Sequence, residues 1–189
     1  MASKGKKKLT LYDLSKEHMK AADVPAFIAE LKNESDRACA LVGAAVIDHQ
    51  LMDLLIENMR PLSETEIDET FHGRDAILAN LSGKTEIAFL FRAINTKERK
   101  AIDCIRKIRN AFAHSAKTLT FEQELIVKEL KKIDFIKTKE ELTAKNQFIE
   151  FVTQLLVKLV KKTVKIIEKK NLPPSIGDLT KSVEDSAKT

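Results

Sequence analysis

The sequence predicts an all-α protein, a compact multi-helix bundle of about six to seven helices, and three observations carry that expectation. Only five Gly and four Pro punctuate 189 residues, too few for the many turns that a sheet protein needs. Charged residues make up 32% of the chain and aromatic residues 5%, the balance of amphipathic helices rather than of strands. Apolar residues also recur at three- and four-residue spacing, as in Ala101, Ile105, Ile108 and Phe112, which is the helical period. An apolar fraction of 43% in a chain of this length suffices for one core.

The elements follow in order. Residues 1–8, with Lys4, Lys6, Lys7 and Lys8, read as a basic disordered tail. A short helix is expected near 11–21, then one long helix over 24–58 with Asp23 as N-cap and Pro25 in its first turn. Pro61 ends that run. Ser63 with Glu66 has the spacing of a capping box for a short helix that stops at His72-Gly73. Another helical turn is expected over 74–81, interrupted at Ser82-Gly83, before a helix over 85–94. The next helix starts after Thr96 and stops near His114, Thr120 caps one running to about Asp134, and a last helix covers about 138–170. Residues 173–189, beginning Pro173-Pro174, read as a polar C-terminal tail, so the single helical domain is expected over 9–172. No repeat period is visible, against a solenoid.

On the helix over 24–58, Phe27, Leu31, Ala38, Val42, Ala45 and His49 form one apolar stripe, and Glu34 and Ser35 fall inside it. On the helix ending at His114, with Ile108 at zero and about 100° per residue, Ala101, Ile105 and Phe112 lie within about 60° of it, the core face. Arg106, Asn110 and His114 stack at i, i+4 and i+8 in a polar stripe on the other side. Arg109 falls at the edge of the apolar face. A buried arginine needs a carboxylate, so a Glu34–Arg109 ion pair is expected, with Asp36 and Asp48 as competing partners.

The formal charge of +5 comes mostly from the N-terminal lysines and from 158–170, where the lysines alternate with Val157, Val160, Val164 and Ile167 and read as a solvated bundle face. Cys39 and Cys104 have no second Cys or His at ligand spacing and read as small core residues of a reducing compartment. His18, His49 and His72 lie on different elements, so no metal site is expected. A phosphate-cradling glycine loop, HExxH and a nucleophile elbow are absent, and no cofactor is implied. No run of about 18 apolar residues suggests a membrane span and no signal region follows the first lysines, which makes a cytoplasmic protein the expectation. His114 beside Arg109 and Asn110 could move a proton while the guanidinium holds a phosphate, a metal-independent route to RNA cleavage. Its structural alternative is a helix C-terminal residue complementing the dipole.

Two blocks resemble a known family. Glu34-Ser35-Asp36-Arg37, Ala38, Leu41-Val42-Gly43-Ala44-Ala45 and Asp48, followed by Ile105-Arg106-Lys107-Ile108-Arg109-Asn110-Ala111-Phe112-Ala113-His114 and Phe121, resemble in type and order the mannitol repressor family. With a weaker middle block from Phe71 to Ile94, in which Leu81-Ser82-Gly83-Lys84 departs from the family pattern, the resemblance covers roughly 24–135. It implies a negative regulator of transcription. No DNA-reading helix can be pointed to, since the connection after His114 is long and the next helix opens with Glu122 and Glu124, so a protein partner is expected. The second block is also similar to the Arg-Asn-x3-His pattern of the HEPN superfamily. That resemblance implies a homodimer, possible RNA contact, and Arg109, Asn110 and His114 as catalytic residues if the protein is a ribonuclease. Glu34, Asp36, Arg37, Asp48 and Arg106 are the residues expected to bind or to pair structurally.

Overall fold

Glu34 and Ser35 cut the first apolar run in two, and that break decides how the remaining helices assemble. The structure is a computed structural model describing residues 19–73, 75–133 and 142–171. The basic segment 1–8, most of the helix expected over 11–21, the domain limits at 9 and 172, the start of the last helix near 138 and the segment 173–189 lie outside the described residues. Within them are α1 (Val24–Asn33), α2 (Asp36–Asn58), α3 (Glu64–Ile67) running into a π-helical turn (Asp68–His72), α4 (Leu81–Leu90), α5 (Thr96–His114), α6 (Glu124–Leu130) and α7 (Ala144–Asn171), with no strand. The all-α expectation is met.

The single helix expected over 24–58 is two helices. Ser35 is extended and its hydroxyl accepts from the Ala38 N–H at 3.2 Å, capping α2. The break also changes the phase. The stripe expected to face the core leaves Val42 42% exposed and Ala45 exposed. The buried face of α2 is instead Cys39, Ala40, Gly43, Ala44, Ile47 and Leu51, continuing through Leu55. α2 is the central helix, packed by α7, α5, α4 and α1. Its best 18-residue window has a mean hydropathy of 1.6, enough by length and composition to cross a membrane, but 61% of that window is buried within the fold.

Gly43 lets α7 approach α2. A Cβ there would sit 3.0 Å from the Phe148 ring and 3.2 Å from a Val152 methyl. Phe148 in turn meets Phe121 in a tilted pair at 5.0 Å, and Phe121 lies 4.9 Å from Phe112. These three rings, all fully buried, tie α5, the connection after it and α7 into one core.

The capping box at Ser63 and Glu66 forms as expected, with both reciprocal bonds present. The interruption expected at Ser82-Gly83 does not. Asn80 caps α4 through Gly83 N–H at 2.8 Å, and Ser82 and Gly83 lie in the first turn. A Cβ on Gly83 would come 3.3 Å from the Ile77 carbonyl oxygen, so the glycine serves close packing rather than termination. α4 ends at Leu90, followed by Arg92 with a φ of 58°. α5 runs over the expected residues but opens on a second capping box, Asn95 with Glu98. Thr120 accepts through its carbonyl from Gln123 N–H at 3.3 Å in a turn, and α6 begins later, at Glu124.

Candidate functional site

The predicted site residues separate into two regions along the contact between α2 and α5. At one end, the start of α2 fastens the connection that leaves α5. Asp36 accepts from the Phe121 N–H at 3.0 Å and has the Lys145 ammonium 3.7 Å from its other oxygen. Arg37 donates to the carbonyls of Ser115 at 2.9 Å and Lys117 at 3.1 Å. Lys145 also donates to the Glu34 carbonyl. This clasp orders the backbone at 115–121 and sets Phe121 into the ring cluster. Each of these charged groups has a partner within the chain.

At the other end lies an open groove of about 520 Å3 between α2, the start of α4 and α5. Leu41, Val42, Ala44 and Ala45 give it an aliphatic floor, and Asp48, Arg106 and Arg109 give it charge. Asp48 is neutralised, because it accepts from Lys84 at 2.7 Å, and Lys84 is only 3% exposed. A buried ammonium without that carboxylate would cost several kcal/mol, of order 3–5. Lys84 therefore fixes the acid in place.

The arginines are less fully matched. Arg106 reaches Asp103 at 3.4 Å through one terminal nitrogen, and among the described residues its buried Nε has no acceptor. A shielded donor of this kind costs about 1–3 kcal/mol. Arg109 is exposed, and its guanidinium donates to the Asn110 side-chain oxygen at 3.0 Å. The expected Glu34–Arg109 pair does not form, and Asp36 and Asp48 are engaged elsewhere. The break at Ser35 puts Glu34 at the C-cap of α1, where its N–H bonds the Leu31 carbonyl. By helical phase Arg109 falls between the buried Ile105 and Ile102, and it is exposed because that stretch of α5 borders the open groove instead of a packed helix.

His114 is the last residue of α5 and is exposed. Among the described residues no carboxylate or carbonyl bonds its ring, so nothing there selects a tautomer or orients it as a base. Among those residues no group of His, Cys, Asp and Glu could hold a metal ion. Cys39 and Cys104 are buried free thiols; burial, the largest influence on each, pushes both up to about 12, which makes them core residues and poor nucleophiles.

Several contributors were not anticipated. Lys84 would have been found by reading Asn80 as the cap of α4, which places Lys84, Thr85 and Ala88 on its buried face. The Asn95-x-x-Glu98 spacing was a second readable cap. Its glutamate is 2% exposed and accepts from Lys162 at 2.6 Å, so one lysine of the face expected to be solvated is half-buried and turned to an internal acid. Lys145 carries no such signal, since its partners come from α2 and its preceding turn. A second cavity, of about 580 Å3 between α2, α3 and α7, contains none of the predicted residues.

No family model matches the sequence, and no curated protein does. Among solved structures, the chain is similar to one in the X-ray structure of the MtlR–HPr complex from Escherichia coli, with a TM-score of 0.59 and 12% identity over 74% of this chain and 99% of that one. At that identity the likeness is one of fold: the helices described above are arranged as in a chain of that complex.

Proposed function

We propose that this protein is a regulatory protein of the mannitol repressor type that acts by binding another protein through the α2–α5 groove, and that it is not an enzyme. The observation that carries the reading is where the resembling blocks meet. Leu41 to Asp48 from the first and Arg106 and Arg109 from the second line one open groove, while Asp36, Arg37 and Phe121 from the same blocks build its support. A fold shared with a chain of the MtlR–HPr complex supports a protein as the partner and makes HPr the first to test. Direct DNA reading has less support. Residues 115–123 separate α5 from α6, longer than the turn of a helix-turn-helix, and α6 opens with Glu124.

The test is calorimetric titration of the purified protein with HPr, alongside Val42→Glu, which places a carboxylate on the groove floor shared with Arg106 and Arg109, where the side chain is already exposed. Saturable binding by the wild type that Val42→Glu abolishes, with its melting temperature retained, is the expected result. Equal binding by the wild type and Val42→Glu would move the partner to another face. Incubation with single-stranded RNA in EDTA addresses the ribonuclease alternative. Intact RNA is expected, and cleavage lost in His114→Ala would replace the regulator reading with an enzymatic one.

A further inference from the structure

We propose that the α2–α5 groove is an oxyanion site whose occupant is an acidic side chain of the protein partner, set among aliphatic neighbours; this rests on the partner-binding reading above. Four observations converge on it. Arg106 and Arg109 stand one helical turn apart on α5 and line one groove, and Asp103 reaches a single terminal nitrogen of Arg106, at 3.4 Å, so an anion between the two guanidinium groups would relieve the remaining like-charge repulsion. Among the described residues the Arg106 Nε is a buried donor with no acceptor, and the one carboxylate lining the groove, Asp48, is held by Lys84 at 2.7 Å. The N-terminal end of α4, at Asn80 and Leu81, lines the same groove and adds the positive end of its dipole. Asn110 holds Arg109 through its side-chain oxygen at 3.0 Å, so part of the ordering of that guanidinium precedes binding.

The lining also selects among anions. Its floor is Leu41, Val42, Ala44 and Ala45, and among the described residues no aromatic side chain lines it. A nucleic-acid strand would lack a stacking platform and a row of cations to follow its phosphates. A free inorganic anion would leave the aliphatic floor unused. A glutamate or aspartate flanked by leucine or valine satisfies both halves, with a planar carboxylate meeting a planar guanidinium in a two-bond fork.

The experiment uses the full chain labelled with 15N in its arginines, titrated to millimolar concentrations. The probes are the capped peptide acetyl-Leu-Glu-Leu-Asp-Val-amide, its Gln/Asn counterpart, inorganic phosphate, and oligouridylate. The Nε–H signals of Arg106 and Arg109 are expected to move with the acidic peptide and not with its amide counterpart. Arg109→Gln and Arg106→Gln should each weaken the acidic peptide by roughly tenfold, Arg109→Gln at an unchanged melting temperature. The inference is overturned if both peptides act alike, if neither moves the signals, if phosphate alone moves them, or if oligouridylate does so in place of the peptide. HPr binding that ignores both substitutions would overturn it and leave the partner reading standing. Arginine-dependent peptide binding with no HPr binding would do the reverse.

Discussion

The clasp and the groove both lie along α2, draw on the same two sequence blocks and use the same kinds of side chain, yet one is closed by the connection leaving α5 and by Lys145, and the other stands open between α2, the start of α4 and α5. In the clasp, Asp36 and Arg37 hold backbone groups of the 115–121 connection. Their hydrogen-bonding capacity is directed at a segment whose position the core already requires. In the groove, among the described residues, Arg106 retains a buried donor without an acceptor and Arg109 donates to a neighbouring amide. Satisfied polar groups contribute to stability, whereas a donor shielded from water without an acceptor, as at the Arg106 Nε, detracts from it, and an exposed group such as the Arg109 guanidinium is hydrated at little cost. The difference separates residues that make the fold from residues left over for a ligand.

Substitutions can break this contrast, and the largest effect belongs to the clasp. Phe121→Ala removes the middle ring of a buried trio, so stability should fall by about 3–5 kcal/mol, as for buried Phe→Ala changes generally; chemical denaturation measures it. Asp36→Ala takes the charged acceptor from the Phe121 N–H and a neighbour from Lys145, and should cost about 2 kcal/mol. A loss below about 0.5 kcal/mol, the range of ordinary surface changes, would show that the connection holds itself. Arg37→Ala should cost about 1 kcal/mol, because its two carbonyl bonds are charge-assisted but near the surface. Arg109→Gln should shift stability by no more than about 0.5 kcal/mol, with its effect confined to binding.

The smallest expected effect lies outside both regions and serves as their control. Hydrogen bonds from Arg60 and then from Ser63 lower the Glu66 carboxyl from 4.5 to about 2. Its folded value is below its unfolded one, so its contribution is present above the unfolded value and is lost as pH falls from about 4.5 through about 2. Thermal melts across that range should show a slightly shallower acid loss in Glu66→Gln than in the wild type.

Much of the fold was legible because it rests on local signals. Ser63 and Glu66 formed the cap that their spacing specified, and Ile105, Ile108 and Phe112 faced the core as the helical period required. The errors came where one local signal competed with another. Ser35-Asp36 is a start signal inside an apolar run, and reading the run as continuous misplaced both the phase of α2 and the partner of Arg109. Ser82-Gly83 looked like an interruption because Asn80 was not taken as the cap. The candidate site was legible only in part. Asp48, Arg106 and Arg109 could be singled out as charges needing company, but pairing Asp48 with Lys84 depends on how α4 lies against α2, which no spacing within either segment reveals. The clasp was hidden for the same reason, since its bonds join residues some eighty positions apart.

The most direct test of the account compares HPr affinity and melting temperature across the wild type, Arg109→Gln and Arg37→Ala. The account predicts that Arg109→Gln loses affinity at an unchanged melting temperature, while Arg37→Ala melts lower yet binds as the wild type does at temperatures where it is folded. Wild-type affinity in Arg109→Gln, or a wild type that does not bind, would contradict the claim that the open groove carries function and the closed clasp carries only structure.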